Sequence, residues 1–68
     1  MNDLRARFLA SLTCADIPPS EMETLLAQLT PEDHSAFSLA VVIAVAATEP
    51  SILHAAAEML RVQWEAAA

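Results

Sequence analysis

Between Ala36 and Ala47 the chain reads AFSLAVVIAVAA, a run in which Ser38 is the sole polar residue. On either side the pattern is mixed. The segment holding Met22, Leu25, Leu26 and Leu29 repeats apolar residues at offsets of three and four, the mark of a helix with one buried face. The N-terminal segment places Leu4, Phe8, Leu12 and Ala15 on one helical face, with Asp3 and Arg7 one turn apart. In the C-terminal segment His54, Glu58, Arg61 and Glu65 form a narrow polar stripe between two apolar faces. One face holds Leu53, Ala57, Leu60 and Trp64, and the other Ile52, Ala55, Ala56, Met59 and Val62.

Proline and capping residues separate these segments. Pro18 and Pro19 stop a helix from running in, and Ser20 with Glu23 has the spacing of a capping box. Thr30 precedes Pro31, which suits a cap followed by a first helical residue. Thr48 or Glu49 stands ahead of Pro50 in the same way, and Asn2 or Asp3 offers a cap at the start. Four helices are therefore expected, over about residues 3–15, 21–29, 31–48 and 50–66. No stretch alternates apolar and polar residues as a half-buried strand does. The expected fold is all-α: one domain, a compact bundle of about four short helices.

In the third helix Ala36, Ala40, Ala44 and Ala47 form a stripe that lets a neighbour approach closely, flanked by Phe37, Val41 and Val45 on one side and Leu39 and Ile43 on the other. A helix apolar all round is expected to be covered all round, so it is assigned the centre of the bundle. The fourth helix needs two covers, and helices one and two offer one apolar face each. A monomer would then leave more apolar surface than soluble monomers carry. Homodimerisation is the expected remedy. The core and dimer residues are taken as Ala40, Ala44, Val41, Val45, Leu53 and Leu60.

Composition narrows the chemistry. In 68 residues there are nine carboxylates and three arginines, for a net charge of −6. That balance disfavours nucleic acid and anionic membrane surfaces, and favours a partner protein with a basic surface. Glu21, Glu23, Glu32, Asp33 and Glu49 fall where first helical turns are expected, which gives five of the acids a local role against the helix dipole. Cys14 is the only cysteine, so no internal disulfide forms. It reads as a structural thiol of a chain in a reducing, cytoplasmic setting. The segment Phe8–Leu12 is too short for a secretory signal core, and Ala36–Ala47 too short to span a bilayer.

The absence of glycine removes phosphate-binding loops, dinucleotide fingerprints and turns that demand a positive φ. His54 and Glu58 have a metal-compatible spacing, but a site needs more ligands, and only His34 remains as a strong donor. No catalytic, cofactor or metal site is assigned. The functional reading is a small acidic module that binds and occludes a larger regulatory protein or ATPase, as an inhibitor or adaptor. The alternative is an obligate subunit or co-chaperone. Partner contacts are assigned to Glu32 and Asp33, read as an exposed acidic pair, and to the apolar anchors Met59 and Trp64.

Overall fold

The computed structural model describes residues 2–67. Four helices run through them: α1 (Asp3–Thr13), α2 (Pro19–Gln28), α3 (Pro31–Ala46) and α4 (Ile52–Ala67). No strand occurs among the described residues, as the sequence pattern predicts.

The helix boundaries follow from local chemistry, with some departures from the predicted spans. Asn2 caps α1, its side-chain oxygen accepting from the Arg5 amide at 2.8 Å. The helix stops before Ala15 because Cys14 is extended and a turn closed by the Ile17 amide on the Cys14 carbonyl begins the reversal toward α2. Helix α2 begins at Pro19 itself, and Pro18 in the cap position gives no side-chain bond. The expected capping box at Ser20 does not form. Proline has no amide hydrogen to leave orphaned and a φ already suited to a first turn, so it can open the helix without one. Ser20 lies inside that turn, its carbonyl accepting from the Thr24 hydroxyl at 3.0 Å. At α3 the prediction holds: Thr30 Oγ1 accepts from the Asp33 amide at 3.2 Å, and Pro31 takes the first position.

The end of α3 corrects a further expectation. Thr48 serves as no cap for α4; it adopts a positive φ of 55°. The Thr48 amide bonds the Val45 carbonyl at 3.0 Å, and the Glu49 amide reaches back to the Ala44 carbonyl at 3.2 Å. These two bonds form a Schellman motif, which places a left-handed residue just past the helix and usually finds glycine there. In a chain without glycine, a β-branched threonine carries that conformation. The next helix starts at Ile52, two residues after Pro50, with the Ser51 carbonyl accepting from the Ala55 amide.

Helix α4 packs against both α3 and α1, and α2 packs chiefly on α1. The centre of the bundle is thus α4, not α3 as predicted. The shape explains why α3 cannot be enclosed. The thin dimension of the molecule is 17 Å between Cα extremes, and a helix flanked on opposite sides needs neighbours about 8–10 Å away in each direction plus their own radii. The core comprises Phe8, Leu12, Leu25, Leu29, Ala40, Ala56, Ala57, Leu60 and Trp64. Buried Ala40 and Ala44 on α3, with Ala56 and Ala57 on α4, supply small residues at the most extensive helix–helix contact, as the alanine stripe implies.

Candidate interaction surface

One polar cluster sits at the end of the core. Arg5 Nε donates to Asp33 Oδ2 at 3.1 Å and Arg5 Nη2 to Oδ1 at 2.9 Å, so the guanidinium holds both carboxylate oxygens. The same guanidinium lies 5.0 Å from the centroid of the Trp64 ring. Phe8 meets Phe37 edge-on at 5.0 Å and lies tilted to Trp64 at 6.5 Å. This cluster joins α1, the first turn of α3 and the last turns of α4. It combines a bidentate charge-assisted pair, a cation–π contact and aromatic packing.

That geometry changes the reading of two predicted partner contacts. Asp33 is 5 % exposed and committed to Arg5, so the acidic pair predicted on the surface is split: Glu32 is exposed and Asp33 is core. Local sequence placed both at a helix start, where charges are usually solvated, and gave no sign that an arginine 28 residues earlier would fold over one of them. Trp64 is 3 % exposed and closes the core, so it is no free anchor. Met59 is half-buried against the core.

Of the predicted core and dimer residues, Ala40, Ala44 and Leu60 are buried, and Val41 is half-buried against the core. Val45 and Leu53 are exposed. Cys14 is exposed as well, at the C-cap of α1, so the thiol is not a core group. Glu23 and Glu49 fall outside the first turns of α2 and α4; the first-turn acids are Asp3, Glu21, Glu32 and Asp33.

On the polar stripe of α4, Arg61 bridges Glu58 and Glu65, its Nη1 donating to Glu65 Oε2 at 2.9 Å. The hydrogen bond from Arg61, reinforced by its charge, holds the Glu58 carboxyl below the usual carboxylate range, and the same contact raises Arg61. His54 belongs to no cluster with Glu58: among the described residues no three His, Cys, Asp or Glu side chains come together as a metal site. No pocket indents the described surface, and no described helix is long and apolar enough to cross a membrane.

What remains is an apolar face. Leu39, Val42, Ile43 and Val45 of α3 are exposed by 57, 62, 46 and 52 %, and Ile52, Leu53 and Val62 of α4 are exposed too. Leu39, Val42, Ile43 and Ala46 follow offsets of 0, 3, 4 and 7, so they share one side of α3, opposite the Ala40–Ala44 face. The sequence signal for this surface was the all-round apolar character of α3, which was assigned to burial. Of the nine carboxylates only Asp33 is buried, so the acids lie on other parts of the same exterior. No protein-family model, curated protein or solved structure matches the chain.

Proposed function

We propose that this chain is a small acidic protein-interaction module that acts as an inhibitor or adaptor, docking on a larger regulatory protein or ATPase and occluding part of its surface. The observation that supports it is the uncovered apolar face of α3 with the first turn of α4, in a molecule without a pocket. Large apolar patches on small domains mark interfaces with other macromolecules. The exposed carboxylates around that face supply steering toward a basic partner, and burial of aliphatic side chains supplies the lasting attraction. Catalysis has no matching feature here: the paired charges of Arg5–Asp33 and Arg61–Glu58 hold helices together or lie along one helix. A reducing cytoplasmic setting suits an exposed, unpaired Cys14.

The test is side-by-side affinity capture and calorimetry with the wild type and Val42→Asp. A charge at the middle of the face should remove the retained partner and weaken its binding by about 2 kcal/mol or more. Equal binding by both chains would remove the face from the interaction and the reading with it.

A further inference from the structure

We propose that the uncovered face of α3 is occupied by a second copy of this chain, the two α3 helices crossing near Val42. The proposal rests on the reading of that face as a protein interface, and it names the occupant.

Charge is the first argument. From Ser35 to Thr48 the chain carries no charged residue, and the polar side chains among the exposed residues of α3 in this stretch are the hydroxyls of Ser35 and Ser38. A partner selected for a basic surface finds nothing here to pair with; Glu58, Glu65 and Glu32 lie off this face. A second copy brings a net charge of −6, yet it can meet this face without opposing carboxylates. The nearest acids along the chain, Glu32 and Glu49, stand roughly 15 and 10 Å from Val42 at 1.5 Å per residue, at or beyond the screening length of about 8 Å in physiological salt.

Area is the second argument. A standard interface covers about 800 Å² per partner, a little over half of it apolar. Leu39, Val42, Ile43 and Val45, continued by Ile52 and Leu53 across the short connection, are each exposed by 37 % or more. Together they offer a few hundred Å² of apolar surface, the order such an interface requires. A two-fold axis lets one such face cover itself, so no second complementary surface is needed.

The sign of the salt effect separates this occupant from a basic protein. Two acidic copies repel at long range, so self-association tightens as salt rises, whereas docking of acids on a basic surface weakens. Sedimentation equilibrium across the micromolar range, at low and high salt, should show a monomer–dimer equilibrium that strengthens with salt. Val42→Asp should weaken it about tenfold or more while leaving the helical circular dichroism unchanged, since Val42 is 62 % exposed. Cross-linking gives an independent reading should that variant fail to fold. In a crossing centred on residue 42 the two copies of that residue face each other, so Cys14→Ser with Val42→Cys should form a disulfide dimer on mild oxidation. Cys14→Ser with Gln28→Cys, placing the thiol on α2, should not. A monomer under all conditions, a dimer that weakens with salt, or a dimer indifferent to Val42→Asp would overturn the proposal. If the chain is monomeric but Val42→Asp still abolishes capture of another protein, only the occupant was misassigned. If neither association nor capture depends on Val42, the interface reading fails as well.

Discussion

Arg5 on the first helix and Asp33 on the third are joined by two parallel hydrogen bonds, and the Arg5 guanidinium also covers the ring of Trp64. The two partners are not equally exposed: the Arg5 side chain keeps 26 % of its surface and the Asp33 side chain 7 %. Loss of the arginine strands a buried carboxylate, whereas loss of the carboxylate leaves a cation that can turn to water. Arg5→Met should therefore cost more stability than Asp33→Asn, about 2–4 against about 1–2 kcal/mol. Urea unfolding of both variants and of the double variant checks the order and gives the coupling.

The same burial divides two neighbouring acids. Glu32→Gln should leave the unfolding midpoint nearly unchanged, with at most about 0.3–1 kcal/mol lost from the helix dipole. Its effect should appear in the association rate with a basic partner and in the salt dependence of that rate. Asp33→Asn should show the reverse: a lowered midpoint and little change in steering. Stopped-flow binding beside thermal melts separates the two.

Thr48 holds a left-handed conformation that costs a non-glycine residue about 1–2 kcal/mol, more when it is β-branched. Thr48→Gly removes that strain but loosens the unfolded chain by about 0.5–1 kcal/mol. The net gain should be about 0.5–1 kcal/mol, visible as a higher melting temperature. An unchanged or lower melting temperature would show that the turn is not strained.

Ala44 is fully buried on the side of α3 that carries Ala40. Ala44→Leu must force α3 away from its neighbour, with an expected loss of about 1–3 kcal/mol. Val42→Ala, on the opposite side of the same helix, should leave the monomer's stability nearly intact. Chemical denaturation of the pair contrasts the two faces directly.

Arg61 lowers the Glu58 carboxyl. A group whose folded value lies below its unfolded one contributes stability above the ordinary carboxylate range and loses it as pH falls through the folded value. Because this pair is on the surface, its effect on the unfolding midpoint should be small and erased by salt. The clear readout is the carboxyl itself: in an NMR titration Glu58 should titrate below a normal glutamate and return to the normal range in Arg61→Gln.

How much of this was legible beforehand follows from what local sequence encodes. Thr30 with Pro31 announced α3, and the offsets of Met22, Leu25 and Leu26 announced α2, because caps and periodicity act within one or two turns. The stripe of Ala40 and Ala44 was legible for the same reason. The contact of Arg5 with Asp33 was not, since a pairing across two intervening helical segments leaves no periodic trace. Nor was the position of α3. A helix apolar on every side has no preferred face, so its pattern states that cover is needed without saying from which direction it comes. The left-handed Thr48 was missed because the expectation came from the residue type that usually fills such a site.

Helix α2 packs chiefly on α1, whereas α3 and α4 adjoin in sequence and share the most extensive contact in the molecule. The order of the fold is therefore graded. Release of α2 would uncover Leu25 and Leu29 yet leave Ala40, Ala56, Ala57 and Leu60 in place, an opening that stops short of global unfolding. The amides of α2 should exchange with deuterium through that lesser opening, ahead of those in the middle of α4. The half of the chain that bears the uncovered apolar face is then also the half that keeps its shape longest, so that face persists as a rigid template while the other end of the molecule breathes.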